Sequence, residues 1–326
     1  MKILYSPSTY ASFNIATEEY LLKNFSDDIF YLYVNSPSII VGRKQNTIAE
    51  INYDFITEND IPVVRRMSGG GAVFHDLGNL NFCFIIRNYT NVENDFARYT
   101  KPIIDVLQSL GVDAKLEGRN DLTIDGKKFS GNAKYHTEKT LLQHGTLLFT
   151  SKLSDLSKAL KADPEKFNDK AVKSIQSRVT NISEHLPTPI SLDDFTKKLI
   201  DHIISIYSDA EYYDTTSEDK QHIQSLVDDK YGTWDWNFGK SPEYNYTKSI
   251  RTSGGTLQVS MVVKNGMIKN IRFFGDFFST KDIDIYEKYF ENTSHNFGEI
   301  LKLLVTYPPE DYFINIYRED LLNVFF

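Results

Sequence analysis

The sequence has almost no cysteine. Cys83 is the only one among 326 residues. With a single thiol, the chain can form neither an intramolecular disulfide nor a cluster of thiolate metal ligands within itself. Cys83 also lies in the apolar run Asn79–Ile86, where nothing nearby would lower the pKa of a thiol. We therefore expect a buried, unreactive cysteine in a protein of a reducing compartment.

Long apolar runs and a surplus of positive charge are absent as well. The N-terminal residues show no apolar signal core before a small-residue cleavage site, and no stretch is long enough to span a bilayer. The formal net charge is −8 and the pI about 5.4, whereas nucleic acids and anionic membranes require a basic face. These absences predict a cytoplasmic protein that binds neither nucleic acid nor membrane.

The apolar residues, 41% of the chain, suffice for a globular core, and their spacing mixes helical and strand patterns. Helical periodicity is found over Phe13–Phe25 and Asp95–Leu110, and Asp125-Gly126 is a strong hairpin signal. We predict an α+β fold whose core sheet is mixed or antiparallel and is flanked by helices. Further strands are predicted at Ile29–Val34, Ser38–Val41, Asn79–Ile86 and Leu141–Phe149.

A second, smaller unit is predicted near the C-terminal end. The run Trp234–Tyr246 is rich in Gly, Pro, Asn and aromatic residues without periodicity, and we interpret it as a linker. Beyond it, strand-like runs at Lys248–Val263 and Met267–Phe274 flank a turn, and helical patterns follow. The prediction is a large domain over residues 1–243 and a small α+β accessory domain over residues 248–326.

The segment Arg65–Asp76 carries the most informative motif, with consecutive glycines at Gly69–Gly71. Without Cβ atoms, several backbone N–H groups can approach one anion closely. Arg65 and Arg66 add positive charge that can bind a phosphate through paired hydrogen bonds. A bare triglycine is more often a turn between strands than a ligand site, but the flanking Arg-Arg and His-Asp favour a phosphate-binding loop. It matches neither the P-loop nor the dinucleotide-binding pattern.

A polar group follows at Gly118–Leu122. Asn120 and Asp121 offer hard oxygen ligands that suit Mg²⁺ beside a nucleotide phosphate, although the pair could equally form an Asx turn. Lys127 and Lys128 come directly after the Asp-Gly turn, and on a strand they must face opposite sides. We expect Lys128 to face inward, where it would neutralise charge on a phosphate and a carboxylate.

Two histidines lie beside these motifs. His75 follows the triglycine, and His144 precedes Gly145, where the missing side chain would let a backbone or a ligand come close. Each histidine could bind a ligand or be a hydrogen-bonded structural residue, and the structural role is favoured over that of a catalytic base. The spacing of the two fits no familiar metal site.

Taken in order, these motifs resemble those of the lipoate-protein ligases, in the superfamily shared with biotin-protein ligases and octanoyl transferases. The resemblance rests on RRMSGGGAVFHDLGNLN, GRNDL, DGKKFSGNA, HGTLL and SRVTNI, which begin at Arg65, Gly118, Asp125, His144 and Ser177. The part from Lys248 is similar to the accessory domain of two-domain ligases. A biotin substrate is disfavoured, because Gly42–Asn46 is only a faint echo of the biotin-ligase phosphate loop.

The resemblance implies a biotin/lipoate ligase-like catalytic domain and a two-step reaction. The lipoate carboxylate attacks the α-phosphate of ATP in the presence of Mg²⁺, which gives lipoyl-AMP and pyrophosphate. A lysine of a lipoyl domain then displaces AMP and forms an amide. The implied acceptors are acyltransferase subunits of 2-oxoacid dehydrogenases and the glycine-cleavage H protein. Both steps need charge stabilisation more than a protein nucleophile.

The resemblance also implies roles for individual residues. Lys128 is the expected catalytic residue, in contact with both lipoate and nucleotide. The implied ATP or adenylate positions are Arg66, Gly71, Ala72, Val73, Phe74 and Lys128, and the weaker Mg²⁺ assignment falls on Asn120 and Asp121. The implied lipoate-binding positions are Lys128, Arg66, Ser68, Gly70, Gly71, His75 and His144. Apolar walls for the dithiolane tail are expected from Val73, Phe74 and the residues around Phe82.

Two other functions stay open. An octanoyl or lipoyl transferase would move an acyl group between carrier proteins without ATP, but the apolar setting of Cys83 and the extra C-terminal module disfavour it. A scaffold or sensor that binds lipoate or a nucleotide without turnover would have no use for Lys128 beside an intact glycine loop. Because an adenylate must be shielded and then exposed, we also expect the small domain and Ser174–Asn181 to move between steps.

Overall fold

The computed structural model describes residues 1–45, 47–89, 96–160, 178–238, 246–264 and 266–326. The strands are β1 Lys2–Tyr5, β2 Ile29–Val34, β3 Ser38–Val41, β4 Val63–Arg65, β5 Val73–His75, β6 Asn79–Arg87, β7 Ala114–Glu117, β8 Asp121–Ile124, β9 Lys127–His136, β10 Thr140–Leu148, β11 Glu211–Tyr212, β12 Tyr246–Thr252, β13 Gly255–Lys264 and β14 Met267–Gly275. The α-helices are Ala11–Asn24, Thr47–Glu50, Tyr53–Glu58, Ala97–Ser109, Leu153–Ala159, Leu192–Ile206, Ser217–Leu226, Trp234–Asn237, Ile283–Lys288, Phe297–Thr306 and Arg318–Phe325. Short 3-10 helices lie at Ile182–His185 and Pro309–Asp311, and a π-helical turn at Val227–Tyr231.

The largest sheet has eight strands in the order β11-β1-β2-β6-β10-β9-β8-β7. Strand β1 runs parallel to both of its neighbours, whereas each pair from β2 to β7 is antiparallel. The predicted α+β class with a mixed core sheet is therefore confirmed. Strand β11 was not predicted, because its two residues are exposed and lie within Ser191–Asp228, which has helical patterns on both sides.

Both faces of this sheet are covered. The helices Ala97–Ser109 and Leu192–Ile206 pack on one face. The helix Ala11–Asn24 and a three-stranded sheet in the order β4-β3-β5 pack on the other. Successive side chains of a strand point to opposite faces, so Phe82 joins the first core and Cys83 the second. None of the helices in the described ranges is long and apolar enough to cross a membrane.

The hairpin predicted at Asp125-Gly126 joins β8 to β9. Asp125 has a φ of 51° and Gly126 a φ of 71°. Two successive residues with positive φ match the twist of the flanking strands, which is why Asp-Gly is favoured at such turns. The turn fixes which of the following lysines faces inward: Lys127 is exposed, and Lys128 is partly buried.

The small C-terminal domain consists of the antiparallel sheet β12-β13-β14 and three α-helices around a separate apolar core. The expectation of one strand over Lys248–Val263 is wrong. The chain turns at Ser253-Gly254, and a Cβ on Gly254 would lie 2.2 Å from the carbonyl oxygen of Ile314. The predicted linker Trp234–Tyr246 contains the helix Trp234–Asn237, while 239–245, like the turn residue 265, lies outside the described residues.

Candidate active site

A cavity of about 440 Å³ lies between the large sheet and the triglycine segment. The register of the strands determines which side chains form the floor of the cavity. Tyr33, Asn81 and Thr146 are paired across β2, β6 and β10, and His144 is paired with Ala133 across β10 and β9. Side chains directly opposite each other in a sheet share a face, so all of them line the cavity. The opposite wall comes from Ile40, Gly70, Gly71, Ala72, Val73 and His75.

Arg66 holds the triglycine loop in shape. Its guanidinium donates hydrogen bonds to the carbonyl oxygens of Gly69 at 2.6 Å and Gly71 at 2.8 Å, and to that of Ile40 at 3.0 Å. Gly70 has a φ of 90°, which residues with a side chain rarely adopt. Burial lowers the pKa of Arg66 to about 10, so the group is protonated at neutral pH. Arg66 therefore both shapes the loop and brings positive charge to the cavity wall.

Arg65 does not face the cavity, and the expectation that both arginines flank the anion site is wrong for it. Arg65 ends β4, and Arg66 continues the pairing through a hydrogen bond from its N–H to the Val41 carbonyl, so the two side chains point to opposite sides. The Arg65 side chain is 2% exposed and makes six hydrogen bonds to other parts of the large domain. Its acceptors are the carbonyl oxygens of Gly42, Arg43, Gln45, Trp236 and Asn237, and the hydroxyl of Thr47. Arg65 is thus a clamp between three segments of the chain.

A buried chain of hydrogen bonds runs beneath the cavity. The Arg66 Nε–H donates to Ser68 Oγ at 3.0 Å, so the Ser68 hydroxyl is left to donate to His144 Nε2 at 2.6 Å. His144 Nδ1 then carries the proton that faces the Glu18 carboxylate at 2.8 Å. The Tyr33 hydroxyl donates to the same carboxylate at 3.0 Å. Glu18 was missed from the sequence, where its signal is a carboxylate between Ile15 and Leu22 on one face of the helix.

The hydrogen-bond partners of His75 determine its tautomer. The Asn14 amide nitrogen donates to the backbone carbonyl of Val34 and to Asn35 Oδ1, so the Asn35 amide nitrogen must face His75 Nδ1, at 3.0 Å. His75 Nδ1 therefore accepts, and the proton resides on Nε2, which has no partner among the described residues. Burial, with Arg66 and His144 nearby, lowers the pKa of His75 to about 3. The ring is a neutral donor.

The second polar motif forms the cavity wall that carries Lys128. The Lys128 ammonium lies 2.8 Å from the Asp121 carboxylate, and both side chains are 40% exposed. The backbone carbonyl oxygen of Asn120 accepts hydrogen bonds from the backbone and side-chain nitrogens of Asn132, at 3.1 and 3.0 Å. Among the described residues no group of three or more His, Cys, Asp or Glu could hold a metal ion. A Mg²⁺ here would take its further ligands from water and phosphate oxygens.

Most of the predicted site residues meet in this cavity. Those that line it are Arg66, Gly70, Gly71, Ala72, Val73, His75, Asn120, Asp121, Lys128 and His144. Ser68 lies behind the wall, and Phe74 packs on the far side of its sheet with Ile39 and Ile56. Phe82 faces the opposite side of the large sheet. Phe74 and Phe82 therefore fail as apolar walls, and Ile15, Tyr33 and Ile40 take that place beside Val73.

The small domain contributes residues to the cavity that were missed from the sequence. Arg251, Ser253, Gly255 and Asp276 line the cavity together with Arg119 of the large domain. One signal was available: the pattern Arg-x-Ser-Gly-Gly occurs at Arg66–Gly70 and again at Arg251–Gly255. The two domains also touch at the triglycine, where the Gly70 N–H donates to the Phe277 carbonyl at 3.3 Å.

Comparison with known proteins identifies the family. Residues 10–204 match the model of the lipoyl protein ligase A/B catalytic domain, and residues 241–325 match that of the bacterial lipoate protein ligase C-terminus. The chain belongs to the lipoate-protein ligase family. It is 42% identical to lipoate–protein ligase 1 of Staphylococcus aureus over 318 residues, and these residues cover 97% of each chain. It is 41% identical over 317 residues to the ligase LplJ of Bacillus subtilis, with 96% of each covered.

Solved structures agree with this assignment. Plasmodium falciparum LipL1 in complex with lipoate superposes with a TM-score of 0.78 at 25% identity, over 99% of this chain and 97% of that one. A lipoate-protein ligase A bound with ATP gives 0.61 at 26% identity, over 73% and 98%. A bipartite ligase of Thermoplasma acidophilum, studied with its E2 lipoyl domain, gives 0.65 at 29% identity, over 75% and 98%. The predicted family, fold and enzyme class are confirmed.

Proposed function

We propose that this cavity carries out both steps of ATP-dependent lipoylation. In the first step an oxygen of the lipoate carboxylate bonds to the α-phosphorus of ATP, and the bond to the leaving pyrophosphate breaks. In the second step the amine of an acceptor lysine bonds to the lipoyl carbonyl carbon, AMP leaves, and the amine loses a proton to water. Neither step needs a protein nucleophile, so the site has to bind, align and stabilise negative charge.

The observation that carries the proposal is that Lys128 and the Arg66-held triglycine loop line the same cavity. Lys128 neutralises charge on the α-phosphate and on the attacking carboxylate. Arg66 and the backbone from Gly71 to Phe74 bind the adenylate. Because the Phe74 side chain points away, this residue acts through its backbone. Asn120 and Asp121 would hold Mg²⁺ through their side-chain oxygens, and the ion, when bound, neutralises phosphate charge.

The lipoyl chain occupies the more apolar part of the cavity. Ile15, Ile40 and Val73 line that part together with the Tyr33 ring. The Tyr33 hydroxyl donates a hydrogen bond to Glu18. His75 and His144 provide the polar edge of the lipoate site, with Gly70 and Gly71 beside them. Ser68 contributes indirectly, because its hydroxyl orients His144.

The acceptors are proposed to be lipoyl domains, those of 2-oxoacid dehydrogenase acyltransferase subunits and the glycine-cleavage H protein. A cytoplasmic location and the division into 1–243 and 248–326 stay predictions from the sequence. The same holds for movement of the small domain and of Ser174–Asn181, of which 174–177 lie outside the described residues. Movement of the small domain would break the contact between Gly70 and Phe277.

The test is pyrophosphate release from ATP and lipoate without an acceptor. Lys128→Ala should lower the rate about 100-fold or more, as loss of a charge-stabilising donor does in other active sites. Lys127→Ala is the matched control, because Lys127 is the neighbouring lysine on the same strand and is exposed. Both variants should melt at the temperature of the unaltered protein. Equal rates for Lys128→Ala and Lys127→Ala would remove Lys128 from the mechanism.

The same assay separates the ligase from an ATP-independent acyl transferase. No pyrophosphate release, combined with acyl transfer from an octanoylated carrier protein, would establish the transferase. Cys83 is poorly suited to act as the nucleophile of such a transferase. Burial, with Glu18 nearby, holds the pKa of the Cys83 thiol well above its ordinary value, and the thiol is 0% exposed.

A further inference from the structure

Two loops with the same sequence pattern line one cavity from opposite domains. Arg66–Gly70 and Arg251–Gly255 both read Arg-x-Ser-Gly-Gly, and both contribute their arginine and a glycine to the cavity wall. In the proposed function, the first loop lies beside the α-phosphate of ATP. We propose that the second loop, Arg251–Gly255 of the small domain, binds the β- and γ-phosphates of ATP, which leave as pyrophosphate. This inference rests on the proposed function for its substrate.

The second loop has a fixed shape. It is the turn between β12 and β13, and Thr252 closes it: its Oγ1 accepts from the Gly254 N–H at 3.1 Å and donates to the Gly255 carbonyl at 2.8 Å. The Ser253 hydroxyl donates to the Asn315 carbonyl at 2.7 Å. The turn is therefore held against the rest of the small domain, and Arg251 extends from a rigid base.

The present partners of Arg251 can be exchanged for a phosphate. Its guanidinium lies 3.4 Å from the Asp276 carboxylate and 2.8 Å from the Thr256 hydroxyl. The Arg251 side chain is 49% exposed. Ion pairs at such exposure contribute little to stability. A terminal phosphate carries more charge and accepts paired hydrogen bonds from a guanidinium, so it competes well for this group.

Arg119 joins the second loop to the wall that holds Lys128. The Arg119 guanidinium donates to the Gly254 carbonyl and lies 4.5 Å from the centroid of the Phe278 ring. Arg119 directly precedes Asn120 and Asp121, which are on the Lys128 wall. The small-domain loop is thus positioned directly against the residues that are proposed to handle phosphate and Mg²⁺.

The charges of the cavity match a polyphosphate better than an adenylate. Among the described lining residues, the cations Arg66, Arg119, Lys128 and Arg251 face the carboxylates Asp121 and Asp276. The adenylate has a single phosphate with one negative charge, which Arg66 and Lys128 already oppose. The other two cations, Arg119 and Arg251, lie towards the small domain, where the β- and γ-phosphates of ATP would extend and where a phosphate can take the place of Asp276 as the partner of Arg251.

The first experiment is calorimetric titration with ATP, AMP and inorganic pyrophosphate. Arg251→Ala should weaken the binding of ATP and pyrophosphate about tenfold or more, the effect expected for one hydrogen-bonded charge pair. AMP, which lacks the outer phosphates, should bind within about twofold of the unaltered protein. Lys248→Ala is the matched control: Lys248 is on the same strand, three residues away, with its ammonium bound to Asn323. Arg251→Lys should recover part of the loss.

The second experiment separates the two reaction steps. Arg251→Ala should raise the KM for ATP in pyrophosphate release about tenfold or more, while transfer from prepared lipoyl-AMP to a lipoyl domain stays within about twofold. Equal ATP affinity in Arg251→Ala and Lys248→Ala would overturn the proposal, as would an equal loss of ATP and AMP binding. If the unaltered protein forms no adenylate, the proposed function fails, and the pyrophosphate titration still decides whether the loop binds phosphates.

Discussion

Replacing Arg65 by lysine should weaken the fold and leave the phosphate site largely unaffected. The substitution keeps the positive charge, so it tests hydrogen-bond geometry alone. The Arg65 guanidinium makes six hydrogen bonds, and an ammonium has three donors. At least three of the six hydrogen bonds are therefore lost, although the carbonyl oxygens of Gly42 and Asn237 keep other donors. At about 1 to 1.5 kcal/mol for each, the free energy of unfolding should fall by roughly 3 to 5 kcal/mol.

Trp236 provides a fluorescence probe for this measurement. The indole N–H of Trp236 donates to the Arg65 carbonyl at 2.8 Å, so tryptophan fluorescence during urea unfolding reports directly on the clamp. A loss of this size is a large part of the 5 to 15 kcal/mol that stabilises a typical domain, and the urea midpoint should drop clearly. ATP affinity, measured where the variant is folded, should stay within about threefold, because the Arg65 side chain does not line the cavity.

The control is Arg98→Lys, because Arg98 is exposed on the helix Ala97–Ser109 and its replacement should leave the midpoint unchanged. The reasoning would be refuted by the opposite pattern. If Arg65→Lys kept its urea midpoint and lost ATP affinity tenfold, Arg65 would be a phosphate ligand, as the sequence suggested, and the clamp would be unimportant.

Further outcomes follow from single contacts. Gly145→Ala would place a Cβ 2.5 Å from Asn132 Oδ1 and 2.7 Å from the Phe82 ring, so thermal unfolding should show a loss of about 1 to 3 kcal/mol; an unchanged melting temperature would contradict this packing. Gly126→Ala meets open space but has a φ of 71°, and should cost about 1 kcal/mol in urea with unchanged adenylation. Because the pKa of His75 is lowered to about 3, the unfolded chain binds more protons between pH 6.5 and 3, and stability must fall as the pH drops through this range. His75→Gln should reduce the loss of unfolding free energy between pH 6.5 and 5 by roughly 1 to 2 kcal/mol. If urea unfolding showed the same loss between these two pH values in the variant and the unaltered protein, His75 would not be a buried neutral ring.

Local patterns were sufficient to predict much of the fold. Strands β2 and β3 were predicted with the bounds that the structure has, because each is a short β-rich run ended by turn residues. The turn at Ser253-Gly254 was missed although consecutive Ser and Gly residues are a turn signal, and the apolar residues change register across it, from Ile250 to Leu257 and Val259. The two-residue strand β11 has no pattern of its own. Its pairing depends on β1, which lies far away in the sequence.

The site was predicted where one motif held its residues, and missed where distant segments meet. Folding places Glu18 beneath the cavity, against His144, and no local spacing carries that information. Arg251 reaches the cavity from the small domain, and its one signal was the repeated Arg-x-Ser-Gly-Gly pattern. The errors at Arg65 and Phe74 have another origin. The rule that neighbouring strand residues face opposite sides was applied to Lys127 and Lys128. Applied equally to Arg65 with Arg66, it would have separated the clamp from the cavity residue.

The position of β1 between β2 and β11 has a consequence for synthesis. Lys2 and Glu211 are 209 residues apart, yet they are paired neighbours in the sheet. At about 5 to 20 residues per second, roughly 10 to 40 seconds pass on the ribosome between the two. Until about two thirds of the chain exists, one edge of β1 is without its partner, and open edges recruit other strands. We therefore expect a nascent chain stalled between the synthesis of β1 and that of β11 to depend on chaperones.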